Sequence, residues 1–354
     1  MAAMSLELAG DLVALFRAVI DVESVSGNEG PLADLVEQAL SAQPHLDVVR
    51  DGDTVIARTH LGRAERVVVA GHLDTVPVAA NLPSRLVDDR VYGRGSADMK
   101  GGVAVALACA ATLTAPNRDI TWIFYDHEEV EAERNSLTRI ATEHPEWLSG
   151  DFAVLMEPTG AVVEGGCQGT LRCVVATHGT AAHSARSWLG HNAIHDAAPV
   201  LARLADYTAR EVDVDGLAYH EGLNAVAISG GIAGNVIPDE CRVTVNFRFA
   251  PDRDEAAAKA HCREVFDGYE VEFVDFAPGA RPGLDRPIAA EFVAAVGGQP
   301  RAKYGWTDVA RFSALGVPAV NFGPADPGKA HADDEFCPVA DLFTCRDALL
   351  RWLS

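Results

Sequence analysis

The stretch Val67-Val-Val-Ala-Gly-His72-Leu-Asp74-Thr-Val-Pro77 joins a short, uninterrupted apolar run to a histidine and an aspartate. Such a run, rich in β-branched side chains, is the pattern of a strand buried on both faces of a parallel sheet. Two further runs are built alike. Ile120-Thr-Trp-Ile-Phe-Tyr125 leads into Asp126-His-Glu128-Glu129, and Phe152-Ala-Val-Leu-Met156 leads into Glu157. Between the first two lies an alanine- and valine-rich segment, 101–113, that reads as a packed helix. Helical spacing also marks Leu6, Leu8, Leu12, Leu15, Phe16, Val19 and Ile20, and another helix is expected over residues 31–42. Strand and helix alternate, which predicts an α/β fold around a central mixed, mainly parallel sheet.

From Leu171 the texture changes. Arg172, Val174 and Ala176 alternate with Leu171, Cys173, Val175 and Thr177, as in a sheet with one exposed face, and Cys241-Arg-Val-Thr-Val-Asn-Phe-Arg-Phe249 repeats the alternation. These predict antiparallel strands of a second, α+β domain with helices near 192–204 and 254–265. After the Gly/Pro-rich segment Pro278-Gly-Ala-Arg-Pro-Gly283 the α/β texture returns, with a strand at 317–322 and a closing helix at 342–353. The expected organisation is a discontinuous first domain, 1–169 and 285–354, interrupted by an inserted domain, 170–284.

A chain of 354 residues is long enough for two cores. Its 29 basic and 51 acidic residues give a formal net charge of −22, a field that repels a phosphate backbone, so nucleic acid is excluded as a partner. The seven cysteines are scattered, odd in number and never spaced C-x-x-C, as suits a reducing cytosol and buried small hydrophobes. Met1-Ala-Ala-Met-Ser5 has no basic n-region, and Glu7, Asp11 and Arg17 interrupt the stretch through Ile20, so no signal peptide is expected. No uncharged run approaches the ~20 apolar residues of a membrane span. The expected location is the cytoplasm, with no membrane partner.

Each apolar strand is followed at once by side chains that bind metals. The carboxyl ends of parallel strands line one edge of a sheet, where such folds carry their sites. Asp98, in Gly93-Arg-Gly-Ser-Ala-Asp98-Met-Lys-Gly-Gly102, and His331, in Lys329-Ala-His331-Ala-Asp333, join the set. Imidazole and carboxylate ligands without thiolate suit catalytic zinc with open positions, or cobalt or manganese in the same place. Blander readings stand beside this one: Asp98 as a helix cap, Glu128-Glu129 as a solvated pair, His183 as a strand-end hydrogen-bonding group.

The ordered motifs His72-Leu-Asp74-Thr-Val-Pro77, Gly95-Ser-Ala-Asp98-Met-Lys-Gly-Gly102, Glu128-Glu129-Val130, Glu157-Pro158 and Ala330-His331 resemble those of the zinc aminoacylase, acetylornithine deacetylase and carboxypeptidase family, over nearly the whole chain. The resemblance implies a zinc-peptidase-like catalytic domain with an inserted lid and dimerisation domain, and two zinc ions, with cobalt possible at either position. It implies His72 and Glu157 on one ion, Glu129 and His331 on the other, and Asp98 bridging them. Asp74 would orient His72, and Glu128 would serve as general base. Gly179-Thr-Ala-Ala-His183-Ser184 and Gly234-Asn235-Val-Ile-Pro238 match the inserted domain, where His183 would hold the oxyanion and both His183 and Asn235 would reach the site of a second subunit in a homodimer.

Asn246-Phe-Arg248 resembles the desuccinylase branch of that family. The runs around Val78–Arg85, Glu164–Arg172, His183–Trp188 and Tyr304–Phe312 resemble its high-GC Gram-positive form. The implied substrate is a small anionic N-acyl amino acid, N-succinyl-LL-2,6-diaminopimelate, with Arg248, Asn235, Thr170 and Gly305 as substrate contacts. Two departures from the branch are Cys167-Gln168, where an arginine is usual, and Gly305-Trp-Thr-Asp308; Arg172, Arg186 and Arg311 are candidate substitutes. The rivals are an acetylornithine deacetylase-like enzyme or a metallo-carboxypeptidase. An oxidoreductase lacks its strand-G-x-G-x-x-G-helix unit, a serine hydrolase lacks its G-x-S-x-G, and an inactive metal scaffold has no need of Glu128.

Overall fold

A computed structural model describes residues 5–354, so the leader reading over residues 1–4 lies outside the described chain. The chain forms two compact units. One contains the residues up to Gly165, Pro282–Arg301 and Arg311–Ser354; the other contains Gly166–Arg281 and Ala302–Ala310.

The first unit begins with α1 (Leu12–Asp21) and α2 (Gly30–Ser41). Leu6 and Leu8 are buried but precede the helix, because Asp11 caps it: its Oδ1 accepts from Val13 N at 2.9 Å. There follow β1 (Asp47–Asp51), β2 (Thr54–Arg58), β3 (Arg66–His72), β4 (Arg85–Val87), β5 (Arg90–Tyr92), α3 (Lys100–Thr112), β6 (Asp119–Tyr125), α4 (Ser136–Glu143), β7 (Phe152–Leu155) and β8 (Glu164–Gly165).

The second unit holds β9 (Gly169–His178), β10 (Ala182–His183), α5 (Ala193–Asp196), α6 (Ala198–Ala205), β11 (Glu211–Val214), β12 (Leu217–His220), β13 (Gly222–Gly230), β14 (Val236–Ile237), β15 (Glu240–Phe249), α7 (Glu255–Val265) and β16 (Glu270–Ala277). Its main sheet runs β13-β15-β9-β16, all antiparallel. The single helix expected over 192–204 is two short ones: Pro199, in the first turn of α6, has no N–H to continue the hydrogen-bond ladder of α5. Val175, Val245, Phe247, Ala258 and Cys262 share the core of this unit.

The chain then adds α8 (Pro287–Val296), β17 (Arg301–Ala302), α9 (Val309–Ala314), β18 (Ala319–Asn321), β19 (Phe336–Pro338) and α10 (Val339–Leu353). The large sheet has the order β1-β2-β6-β3-β7-β18-β8-β17. Its centre, β6-β3-β7-β18, is parallel, and β1, β2 and β8 are antiparallel to their neighbours. Helix α3, buried along nearly its whole length, packs on α1 and α10, which explains why it is apolar all round rather than amphipathic. Three stretches fall in a different unit from the one the sequence suggests: residues 302–310, Gly305 among them, belong to the second unit. The expected stretch 166–169 also moves to the second unit, and 282–284 moves to the first.

Candidate metal centre

Parallel pairing aligns the carboxyl ends of the central strands. His72 is the last residue of β3 and lies opposite Tyr125, the last of β6, so the turn Asp126–Glu129 emerges beside it. Glu157 follows β7 by two residues. Glycine brings α3 close to that strand end: a Cβ on Gly102 would lie 2.1 Å from Met156 O.

Asp98 does not cap α3, whose flanking residue is Met99 with no side-chain cap. Its two carboxylate oxygens instead face two imidazoles. Oδ1 lies 3.1 Å from His72 Nε2, and Oδ2 lies 3.4 Å from His331 Nε2. His331 Nε2 is also 3.0 Å from Glu129 Oε2. Ligand atoms fall into three overlapping sets, His72/Asp98/Glu157, Asp98/Glu129/His331 and His72/Glu128/Glu129, each with its atoms within 4.8 Å of one another. His331 itself adopts φ 63°, a left-handed conformation that a non-glycine side chain holds only where its surroundings dictate it.

The donor chemistry fits divalent cations. Two ligands at ~2.0–2.1 Å from one tetrahedral zinc lie roughly 3.3 Å apart, close to the nitrogen–oxygen separations here. His72 Nδ1 is 3.0 Å from Asp74 O and donates there, which leaves Nε2, now donating to Asp98, as the nitrogen that can meet a cation once its proton is lost. Asp74 is a hub: its carboxylate accepts from Ser26 Oγ at 2.7 Å and from the backbone N–H groups of Glu128 and Glu129, both at 3.0 Å. One buried aspartate thus orients a histidine and fixes the turn that carries two glutamates.

Without cations this cluster perturbs its own titration. Burial opposes charge on His72, yet hydrogen bonds with Asp74 and Asp98 raise its pKa well above the ordinary value. Hydrogen bonds with Asp98 and Glu129 raise His331 to about 10. Burial pulls the Asp74 carboxyl upward, but His72, Ser26 and the Glu128 N–H outweigh it and hold the group at about 2. Asp98, half-buried between the imidazoles, is likewise lowered, by its hydrogen bonds with His331 and His72.

In the second unit β10 pairs with β14, His183 opposite Val236, and Ser184 N donates to Asn235 O at 2.9 Å, so His183 and Asn235 are neighbours. Thr170 lies opposite Arg248 on β9 and β15, next to Asn246, whose Nδ2 donates to Thr170 Oγ1 at 2.9 Å. The structure therefore gathers these residues as two pairs on two different sheets. Gly305 stands near the Lys303 side chain. Of the candidate substitute arginines, Arg172 pairs with Asp275 at 2.8 Å and Arg311 hydrogen-bonds Thr138, which are structural roles.

Two residues that sequence reasoning passed over serve the centre. Ser26 holds Asp74, and its only signal was the Ser24-Val-Ser-Gly-Asn28 turn chemistry. Lys100, 1% exposed, donates from Nζ to Val22 O at 2.7 Å, tying the start of α3 to the end of α1. All seven cysteines are buried and free, and burial pushes the Cys109 and Cys167 thiols up to about 12 and about 11. Among the described residues no helix is long and apolar enough to cross a membrane.

A discontinuous unit with an inserted sheet domain, and imidazoles and carboxylates converging at the ends of its parallel strands, defines a class of metallohydrolase. The chain belongs to peptidase family M20/M25/M40, whose model matches residues 68–354. Among individual proteins, it is 56% identical over 352 residues to a DapE protein of Mycobacterium tuberculosis, covering 99% of either chain. It is 49% identical over 360 residues to the succinyl-diaminopimelate desuccinylase of Corynebacterium glutamicum, covering 99% of this chain and 98% of that one. A tripeptidase structure from Staphylococcus aureus shares the fold, with a TM-score of 0.79 at 22% identity, covering 97% of this chain and 96% of that one.

Proposed function

We propose that this chain is a hydrolase that removes succinate from N-succinyl-LL-2,6-diaminopimelate, leaving LL-diaminopimelate for lysine and cell-wall precursor synthesis. The observation that carries the reading is Asp98: one carboxylate turned to two imidazoles, with Glu128 in the same cluster, in a chain 49% identical to a named succinyl-diaminopimelate desuccinylase. His72, Asp98 and Glu157 would hold one divalent cation, and Asp98, Glu129 and His331 a second. Zinc fits both positions and cobalt can replace it. When bound, such ions supply Lewis acidity and make water acidic enough to ionise near neutral pH.

The chain's own groups do the rest. Glu128 takes a proton from the attacking water and passes it to the leaving amine nitrogen as the amide C–N bond breaks. Asp74 fixes Glu128 through its backbone N–H and fixes His72 through its ring. His183, reaching across from a second subunit, would donate to the developing oxyanion, a kind of contact that contributes several kcal/mol in other hydrolases. Arg248, with Thr170 and Gly305, and with Asn235 reaching from a second subunit, would receive the substrate carboxylates, the guanidinium matching their geometry as a fork.

A homodimer accords with β13, an outer strand of its sheet that exposes Val226 (59%), Ile228 (52%) and, just beyond it, Ile232 (85%). Cytoplasmic residence accords with the substrate and with seven free thiols.

The deciding assay compares N-succinyl-LL-2,6-diaminopimelate with N-acetylornithine and with C-terminal peptides. A kcat/KM for the succinyl substrate at least 100-fold above the others is expected. Preference for acetylornithine or for peptides would move the chain to another branch of the family.

A further inference from the structure

Glu335 lies in the acidic run Asp333-Asp-Glu335 that follows His331, where a solvated side chain is the ordinary expectation, yet its side chain is 1% exposed. Strand pairing explains its place. β5 and β19 are antiparallel with Tyr92 opposite Phe336, so the chain leaving β5 into the glycine-rich loop runs beside the chain entering β19 from the His331 loop. Gly93 N donates to Glu335 O at 3.2 Å across that junction.

Both carboxylate oxygens of Glu335 are double acceptors. Oε1 takes the N–H of Ala97 at 2.8 Å and of Asp98 at 3.1 Å. Oε2 takes the N–H of Gly95 at 3.1 Å and Nη1 of Arg94 at 2.8 Å. Successive N–H groups converging on an anion form a concave nest, and here the anion is part of the chain. Arg94 is 4% exposed and extends the tie: Nε donates to Pro77 O at 3.0 Å and Nη1 to Ala332 O at 3.2 Å. One ion pair therefore joins three loops: those that carry His72 and Asp74, Asp98, and His331.

We propose that Glu335 is a positioning residue for the metal centre, holding the backbone of Asp98 in the register that lets one carboxylate face both His72 and His331. Four donors require two full acceptor oxygens. A glutamine in this place turns an NH₂ toward either the Ala97 and Asp98 N–H pair or the Gly95 N–H and Arg94, and no rotation of the amide satisfies both. The consequence falls on the position shared by Asp98, Glu129 and His331, because the clamp spans the loops of Asp98 and His331. Catalytic groups misplaced by about 1 Å lose rate far more than they lose binding of distant substrate parts.

The inference rests on the metal reading above, so its test reads metal uptake rather than desuccinylation alone. Metal-free full-length wild type, Glu335→Gln and, as a control of equal burial, Glu221→Gln are titrated with Co²⁺, followed by visible absorbance and calorimetry. Glu221 is buried in the second unit and accepts from Arg210 Nη2 at 2.7 Å, Arg253 Nε at 2.8 Å and Ala250 N at 3.1 Å. Wild type and Glu221→Gln should each take two equivalents with like affinity, although Glu221→Gln melts lower. Glu335→Gln should bind its weaker cobalt at least 10-fold less tightly, with altered visible bands, and should lose at least 10-fold in kcat while KM stays within about two-fold. If circular dichroism finds Glu335→Gln unfolded, Glu335→Asp, which keeps the charge but withdraws the oxygens, is read by the same criteria. A folded Glu335 variant with two cobalt sites of wild-type affinity and unchanged kcat overturns the proposal. A wild type that takes up no cobalt overturns the metal reading beneath it.

Discussion

Asp74→Asn changes one atom and tests how the site is built. The Asp74 carboxylate accepts from Ser26 Oγ, Glu128 N and Glu129 N, with Glu128 N on Oδ1 and the other two on Oδ2. In asparagine one of those oxygens becomes an NH₂ donor. Turned one way it opposes Glu128 N–H; turned the other way it opposes Glu129 N–H. Ser26 can rotate its hydroxyl to adapt, but a backbone N–H cannot. The loss is a charge-assisted hydrogen bond of roughly 1.5–3 kcal/mol, plus a buried donor left facing a donor, roughly 1–3 kcal/mol. The combined cost of roughly 2.5–6 kcal/mol is met by shifting the Glu128–Glu129 turn, the element that carries both the proposed base and a proposed ligand. If most of it appears in the transition state, kcat falls roughly 10²–10³-fold. Metal affinity should fall roughly 10–100-fold, because the orientation of His72 is relaxed at the same time. Steady-state kinetics and cobalt titration of the purified variant measure both. An Asp74→Asn enzyme within three-fold of wild type in kcat and in metal affinity would refute the view that this carboxylate sets the turn.

Glu128→Gln should keep its full metal content, read by atomic emission, and lose at least about 10³-fold in kcat, since the amide cannot take the proton. Metal uptake should release up to two protons per chain at neutral pH, because the surrounding carboxylates raise the pKa of both His72 and His331 in the metal-free site; calorimetry in buffers of different ionisation enthalpy reads the number, and a value near zero contradicts it. The sign also applies to the metal-free fold: His331 is raised from 6.5 to about 10, so its charged contacts stabilise fully below about pH 6.5 and are lost as the pH rises through about 10. Gly102→Ala should lower the melting temperature by an amount equivalent to roughly 1–3 kcal/mol and reduce bound metal, since the new Cβ would meet Met156 O at 2.1 Å, beside Glu157. Ile228→Lys should convert a dimer to monomers by light scattering without changing metal content, and an unaltered mass would exclude β13 from the interface.

Much of the first unit was legible because its strands are buried on both faces. A run such as Val67–Ala70 has few alternatives, and the chain must turn polar where it ends, at His72, Asp126 and Glu157. The inserted sheet was legible for the opposite reason, since β15 alternates buried and exposed positions as a one-sided sheet must. The features that could not be read locally depend on partners distant in sequence. Leu6 and Leu8 have helical spacing but are buried ahead of α1, where Asp11 accepts the N–H of Val13. Residues 302–310 look like the α/β part of the chain, yet Gln168 N donates to Lys303 O at 3.2 Å and Trp306 Nε1 to Pro278 O at 3.1 Å, contacts no local pattern announces.

The same limit applies within the site, and it separates two kinds of acid that composition cannot distinguish. A carboxylate whose oxygens are engaged by fixed backbone N–H donors must break those bonds to turn toward a cation, so it serves as scaffold however close it lies. Asp74 and Glu335 are of this kind, each accepting from two or more backbone amides. Asp98 and Glu129 are the other kind, their oxygens turned to imidazole nitrogens that can surrender a proton. Scaffold acids are held chiefly by backbone amides, which never titrate, and ligand acids by imidazoles, which do. Raising the pH or adding a divalent cation would therefore draw protons from the imidazoles that face the second set while leaving the first set in place, so the residues that would hold a cation can be freed without moving the loops that carry them.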